Sequence, residues 1–311
     1  MAFPLISLVV PVFNEIENLG PFFVRLNPVL AKLGDGYRFE VVFTDNHSTD
    51  GTFDRLAEIA RTDPRVRAFR LSRNFGYQRS ILTGYKHARG DAVIQLDVDL
   101  QDPPELLETF LHHWCDGYKV VYGVRRTRQE SRLLRGVRKL FYRVIAALSE
   151  VALPLDAGDF RLIDRQVLQQ LRQIRDARPY LRGIIAESGF TQIGVPYDRQ
   201  DRAHGQSKFS FPALVQLALD GVVGHSTTPL RVATFFGVLV CAASILGLIG
   251  YGATRLSGAP WPAGFTTTTM LILFGLGMNA LFLGIIGEYV GRIYLEVRRR
   301  PVTIIERVVG T

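Results

Sequence analysis

Two carboxylates two residues apart, Asp97 and Asp99, follow the apolar run Ala92-Val93-Ile94 and precede Pro103-Pro104-Glu105. The run reads as a buried strand, and the Pro-Pro-Glu as a helix start. In extended chain, residues two apart face the same side. The spacing therefore predicts that Asp97 and Asp99 converge. Like charges held that close call for a cation between them. Hard oxygens suit Mg2+ or Mn2+, and Mg2+ is typically held by one or two carboxylates together with substrate phosphates. Taken alone, so short a motif reads as a solvated acidic turn, and its surroundings decide.

Those surroundings alternate. Strand candidates at Leu5 to Val10, Glu40 to Thr44, Val66 to Leu71, Ala92 to Leu96 and Lys119 to Gly123 are separated by helical stretches. The helices read as Glu15 to Leu33, Asp50 to Arg61, Gly76 to Ala88 and Glu105 to Trp114. Asn14 is placed to cap the first, and Ser48 or Thr49 the second. The spacing is that of βαβ units, which predicts an α/β fold with a parallel sheet and helices on both faces. Ligands in such sheets sit beyond the carboxyl ends of the strands. Three polar clusters fall there: Pro11 to Glu15, Asp45 to Ser48, and Asp97 to Gln101.

The chain has 311 residues, 47% of them apolar, and a net charge of +8. This excludes disordered and fibrous classes. Cys115 and Cys241 are the only cysteines, so neither a disulfide framework nor a zinc cluster is expected. The N-terminus lacks the basic n-region of a signal peptide. Val232 to Thr254 and Leu256 to Gly287 carry no charged residue. Roughly 20 apolar residues cross a bilayer, so two transmembrane helices are predicted, near 230–254 and 265–289. Arg231 and the Arg298-Arg299-Arg300 run flank their outer ends. The positive-inside tendency then places both outer ends, and the large N-terminal part, on the cytosolic side. The basic character thereby has a membrane explanation, and no nucleic-acid motif competes with it.

Arg125, Arg126, Arg128, Arg132, Arg135, Arg138, Lys139 and Arg143 crowd a short stretch, with apolar residues between them at helical spacing. Two readings stay open: a solvated basic helix face, or a helix beside anionic lipid or a phosphorylated substrate. The loop from Tyr197 to Lys208, with Arg199, Arg202, Ser207 and Lys208, is either plain surface or a phosphate grip. Phe209 to Val223 reads as an amphipathic helix on the bilayer, and Pro301 to Val309 as a strand-like tail. The resulting organisation is a catalytic domain over 1–208, an interfacial helix over 209–229 and a two-helix membrane region with a short cytosolic tail over 230–311.

Several motifs together now resemble a known family. They are Val10-Pro11-Val12-Phe13-Asn14-Glu15, the Asp45 to Thr52 stretch, Arg73-Asn74-Phe75-Gly76 and Asp97-Val98-Asp99-Leu100-Gln101. Gly158-Asp159-Phe160-Arg161, Arg202-x-x-Gly205-x-Ser207-Lys208 and the two apolar spans extend the match along the chain. The whole resembles glycosyltransferase family 2, and within it the polyprenyl-phosphate glycosyltransferases. That resemblance implies a GT-A fold and inverting, metal-dependent transfer of one sugar from a nucleotide sugar to a polyprenyl phosphate. It implies that Pro11, Phe13, Glu15, Asp45 and Asp97 bind the nucleotide sugar, with Asp45 accepting from a base N–H. Asp97, Asp99 and Gln101 would hold Mg2+ or Mn2+. Arg125, Arg132, Arg161, Arg202, Ser207 and Lys208 would face the acceptor phosphate or the diphosphate. Asp99 and Asp159 would act at the reacting centre, Asp159 being the family's candidate base. The acceptor is a phosphate monoester, largely ionised at neutral pH given a second pKa near ~6, and hardly needs a base. Asp159 is therefore expected to orient Arg161 or the sugar.

The chain departs from the family's pattern at Asn46, where a second acid is frequent, and at His47 and Tyr77. It lacks a Gln-x-x-Arg-Trp motif, which argues against processive polysaccharide synthesis. UDP-glucose is the first donor expected, by resemblance to enzymes that modify bacterial O-antigens and teichoic acids. A mannose transferase using GDP-mannose is the rival within the class. A non-catalytic scaffold or flippase subunit is the rival outside it. Glycines such as Gly275, Gly277, Gly284 and Gly287 leave room for close helix approach in a homo-oligomer.

Overall fold

A computed structural model describes residues 3–126, 157–174, 176, 179–198, 264–298 and 300–310, with scattered positions over 230–253. The strands are β1 (Leu5–Val12), β2 (Arg38–Asp45), β3 (Val66–Leu71), β4 (Ala92–Gln95), β5 (Val120–Arg125), β6 (Ala157–Asp164), β7 (Gln192–Tyr197) and β8 (Ile305–Val309). The helices are α1 (Ile16–Leu33), α2 (Thr52–Thr62), α3 (Tyr77–His87), α4 (Leu106–Cys115), α5 (Arg165–Gln173), α6 (Leu181–Glu187) and α7 (Phe265–Val297). One sheet runs in the order β7-β5-β6-β4-β1-β2-β3-β8.

The first four strands are parallel, as the βαβ spacing predicts. The sheet as a whole is mixed, which corrects the expectation of an all-parallel one. β6 is antiparallel to both β4 and β5, and β8 is antiparallel to β3. β6 and β8 lie after the alternating part of the chain, where the βαβ pattern no longer constrains direction. Because β6 runs backwards, its start at Ala157 reaches the rim at which β1, β2, β4, β5 and β7 end.

Alternation along the strands divides the interior into two layers. Leu8, Val10, Phe43 and Ile94 join Phe22, Leu26, Phe53 and Phe110 on the α1, α2 and α4 side. Val9, Val42, Val93 and Ile163 join Leu82, Tyr85, Leu168 and Ile185 on the α3, α5 and α6 side. Gln95, two residues after Val93, shares the second side. So does Arg161, two residues before Ile163 and opposite Gln95 in the β4–β6 ladder. The strand pleat thus aims polar groups at α3 and α6.

Two predicted caps are replaced. Neither Asn14 nor Ser48 or Thr49 caps its own helix: Glu15 and Gly51 occupy the N-cap positions, without side-chain caps. The first amides of α1 are met by the neighbouring loop instead. Glu15 N donates to Thr52 Oγ1 at 3.0 Å and Ile16 N to Asp50 Oδ2 at 3.2 Å. The orphan donors of a helix start become the seam between two rim loops.

α7 covers the second predicted span and contains a 22-residue stretch, Phe274–Leu295, long and apolar enough to cross a membrane. At about 1.5 Å per residue it extends about 33 Å, against a bilayer core of about 30 Å. Leu271, Phe274, Leu276, Leu281 and Leu283 are exposed along it. It is the single such helix among the described residues, and much of the first predicted span lies outside them. Over 230–254 the described positions are helical but discontinuous. The predicted interfacial helix over 209–229 lies outside the described residues. The strand-like tail is β8, which re-enters the catalytic sheet at the β3 edge.

α3 packs on β1 through Gly84. A Cβ there would stand 2.3 Å from Val9 Cγ1. Since Val9 is fully buried in a parallel strand, the helix rather than the valine would have to move. Gly84→Ala is expected to lower stability by about 1–3 kcal/mol, as overpacking does, in denaturant unfolding of the solubilised chain.

Candidate active site

Three loops leave the common rim, and each contains one non-glycine residue with left-handed backbone. These are Asn14 (φ 55°), His47 (φ 68°) and Leu100 (φ 58°). Such conformations cost on the order of 1–3 kcal/mol each and cluster at functional sites. They fall in the same three clusters that the sequence singles out.

The first two loops are sewn together. Asn14 N donates to Ser48 Oγ at 2.9 Å, and Thr49 N donates to Asn14 Oδ1 at 2.8 Å. Asp45 ends β2 fully buried. It accepts from Ser48 N at 3.1 Å and from the Ser48 hydroxyl. Burial pushes its carboxyl up, and the Ser48 hydrogen bonds and the charge of Arg70 oppose this. Pro11 is buried in β1 opposite Thr44, and Phe13 is half-buried beyond it. Glu15 Oε2 accepts from Asn18 Nδ2 at 2.6 Å.

Asn46 explains its own departure from the family's pattern. Its Nδ2 donates to Asn74 Oδ1 at 2.8 Å while its Oδ1 accepts from Phe75 N at 2.9 Å. An amide does both, and a carboxylate only accepts. Asn46 therefore ties the Asp45 loop to Arg73-Asn74-Phe75-Gly76, which leads into α3.

The acidic motif is not extended. β4 stops at Gln95, and Asp97 to Leu100 form a turn. Convergence of Asp97 and Asp99 by strand alternation is corrected accordingly. Asp97 Oδ1 turns to the α3 side, where it accepts from Tyr77 Oη at 2.7 Å and Gln95 Nε2 at 2.8 Å. Asp99 is buried, and its Oδ1 accepts from Gln101 N at 3.2 Å. The two still feel each other. Burial first, then the charges of Asp102 and Asp99, push Asp97 up to about 7, with the Tyr77 hydrogen bond opposing. Neutral donors alone leave that negative charge poorly compensated, and a divalent cation would relieve it. Among the described residues no group of three or more His, Cys, Asp and Glu side chains forms a metal cage. The carboxylates of Asp97 and Asp99 are hard oxygen donors of the kind that share Mg2+ or Mn2+ with phosphate oxygens.

Two further carboxylates share this rim. Asp102, 1% exposed, accepts from the Tyr197 hydroxyl, and Arg125 Nε donates to that hydroxyl at 3.3 Å. Arg125, expected at a phosphate, is thus engaged by Tyr197 at the end of β7. Asp159 lies at the start of β6 and is gripped by both arms of Arg182, from Nε at 2.9 Å and Nη2 at 2.7 Å. Burial would raise the Asp159 carboxyl, but the charge and hydrogen bonds of Arg182, with Arg161 beyond, bring it down to about 2. Arg161 is 5% exposed and donates to Gly158 O at 2.8 Å. It is buried beside Asp159 rather than displayed to an acceptor. Arg132, Arg202, Ser207 and Lys208 lie outside the described residues.

The structure therefore brings Asp45, Asp97, Asp99, Gln101 and Asp159 to one rim and adds Gln95, Tyr77, Asp102, Tyr197 and Arg182. Gln95 was visible as a lone amide in an apolar strand. Arg182 had no local signal, since its role depends on α6 docking beneath β6.

This geometry accompanies a clear kinship. A family profile described as "Glycosyl transferase family 2" matches residues 7–172. A Bacillus subtilis (strain 168) protein named "Uncharacterized glycosyltransferase YkcC" is 35% identical over 305 residues, covering 98% of this chain and 94% of that protein. The "SfII prophage-derived bactoprenol glucosyl transferase" of Shigella flexneri is 37% identical over 308 residues, 97% of each chain. The "Prophage bactoprenol glucosyl transferase homolog" of Escherichia coli (strain K12) is 35% identical over 309 residues, 97% of this chain and 99% of that one. The chain belongs to glycosyl transferase family 2 and is a glycosyltransferase with a GT-A-like α/β fold.

Three outcomes follow from the contacts. Asn46→Asp removes the donor to Asn74 and is expected to cost about 1–3 kcal/mol of stability, the penalty for an unmade buried hydrogen bond, in thermal or denaturant unfolding. A carboxyl depressed to about 2 is fully ionised above its ordinary value of 3.8 and loses its contribution only as pH falls toward 2. Asp159 therefore adds no inflection to a rate profile between pH 5 and 8. Asp159→Asn should slow turnover by less than about tenfold, against the ~10²–10⁴-fold expected for loss of a general base.

Proposed function

We propose that this glycosyltransferase moves a single sugar from a nucleotide sugar to a polyprenyl phosphate at the cytosolic face of a membrane, with inversion at the anomeric carbon. The observation that carries this reading is the acidic rim, Asp97-Val98-Asp99-Leu100-Gln101, in a chain that also holds the exposed apolar helix α7. The rim suits a diphosphate donor, and the helix suits an acceptor that resides in lipid. The named bactoprenol glucosyl transferases, matched from end to end, favour that acceptor class and make UDP-glucose the first donor to test. Residues 1–208 then supply the catalytic unit, 209–229 an interfacial helix, and 230–311 the anchor, whose β8 returns to the sheet.

In this reading Pro11, Phe13, Glu15 and Asp45 line the nucleoside pocket. Asp99 and the Gln101 side chain hold the metal, and Tyr77 and Gln95 fix Asp97 beside them. Mg2+ or Mn2+, when bound, stabilises the negative charge that develops on the departing diphosphate. The acceptor phosphate arrives already ionised, so the protein's task is placement rather than proton removal. Asp159, locked onto Arg182, orients this side of the site. Arg132, Arg202 and Lys208 supply positive charge, and Ser207 a hydroxyl donor, for acceptor and diphosphate.

The test is transfer from a panel of radiolabelled nucleotide sugars, UDP-glucose and GDP-mannose included, to undecaprenyl phosphate in membranes carrying the full chain. Metal-dependent, lipid-linked product is expected from one donor. Asp99→Ala should reduce it by about 10²-fold or more, the scale of losing a main electrostatic contact in a transition state. Absence of product from every donor would sink the enzyme reading in favour of a scaffold, and preference for GDP-mannose would replace the donor assignment.

A further inference from the structure

β8 follows the apolar helix in sequence, yet it meets the loop that ends β2. Its ladder with β3 pairs Arg70 with Arg307 and then Leu71 with Ile305, leaving Glu306 as the extra residue of a bulge. Bulges re-aim side chains and occur preferentially beside functional sites. Here the bulged Glu306 places Oε2 at 3.4 Å from Arg70 Nε and 3.7 Å from His47 Nδ1.

Arg70 in turn reaches the loop. It stands opposite Asp45 in the β2–β3 ladder, and its Nη2 donates to Ser48 O at 3.2 Å. Its charge also opposes the upward push that burial gives Asp45. His47, with its left-handed backbone, is fastened from the same side, its Nδ1 lying 3.1 Å from Leu71 O. Phe53 of α2 lies beneath both cations, 5.4 Å from Arg70 Cζ and 5.2 Å from Arg307 Cζ. Two arginines side by side repel, and Glu306 lies against one while Asp54 lies 4.0 Å from the other.

We infer that Arg70, held by Glu306 of β8, is a positioning residue for the Asp45–Ser48 loop, so that the strand beyond the apolar helix forms part of the nucleotide-sugar site. This rests on reading that loop as the donor pocket. Arg70 sets the loop by its hydrogen bond to Ser48 O, and Glu306 sets the angle of Arg70. Neither touches the reacting atoms. Their loss therefore weakens donor binding more than it slows chemistry.

The experiment measures initial rates with the full chain in membranes, using radiolabelled UDP-glucose and GDP-mannose with undecaprenyl phosphate. Glu306→Gln retains the backbone ladder of β8 and removes the charge. It should raise the donor KM roughly two- to fivefold, the range for a partly exposed ion pair, with kcat within about twofold. Arg70→Ala should raise the donor KM by about tenfold or more, as for loss of a charged hydrogen bond, and Arg70→Lys should recover part of it. The undecaprenyl phosphate KM should stay unchanged in all three. Asp45→Ala is the reference and should raise the donor KM on its own account. Unchanged donor KM in both Glu306→Gln and Arg70→Ala, beside a raised KM in Asp45→Ala, would overturn the positioning role and leave the donor pocket standing. A fall in kcat at constant KM would overturn it as well. Unchanged KM in Asp45→Ala would overturn both assignments.

Discussion

Four carboxylates, Asp97, Asp99, Asp102 and Asp159, crowd one rim of a single sheet, and their mutual repulsion away from bulk water sets the terms for everything around them. Charges in such a setting must be neutralised, paired or coordinated. Asp159 is paired with the guanidinium of Arg182. Asp102 is met by the Tyr197 hydroxyl. Asp97 is met by a phenol and an amide, which stabilise it only in part. The site is therefore graded: firmly compensated on the β6 side and electron-rich at the acidic turn. That gradient leaves negative charge concentrated at the acidic turn, while the β6 side is held fixed by its ion pair.

The grading originates in the strand pleat. The residues that face the α3 and α6 layer change from apolar to polar as each strand nears its rim. In β4 the sequence passes from Val93 to Gln95, and in β6 it passes, read backwards, from Ile163 to Arg161 to Asp159. Positions that would close the core elsewhere carry polar groups here, bonded to one another at the rim. Gly84 permits this by letting α3 lie directly on Val9, which keeps Tyr77 within reach of Asp97.

The parallel half of the fold was legible because its elements are local: Val66 to Leu71 was read with its final bounds, and most others lay within two residues. β6 escaped because antiparallel insertion between β4 and β5 leaves no periodic mark, and β7 because it adds to the β5 edge after the βαβ alternation has ended. The caps were misread for a related reason. Asn14 and Ser48 have the chemistry of caps, but the tertiary structure spends that chemistry on joining two loops. Asp97 and Asp99 stand at the rim, while the shared direction expected of them rests on an extended backbone that ends at Gln95. Arg182 was invisible, since nothing in Leu181–Glu187 itself announces the carboxylate that it grips.

The late position of β8 has a consequence for how the protein is made. Until Ile305–Val309 is synthesised, β3 presents an open edge of unpaired amides and carbonyls, a template for unwanted pairing. The strand that covers this edge arrives only after α7 has emerged. Closing a loop of this length costs only modestly more entropy than closing a short one, so the delay is one of timing rather than of equilibrium. Assembly of the sheet is thereby completed after the apolar helix exists, and biogenesis runs in the order of helix first, finished edge second.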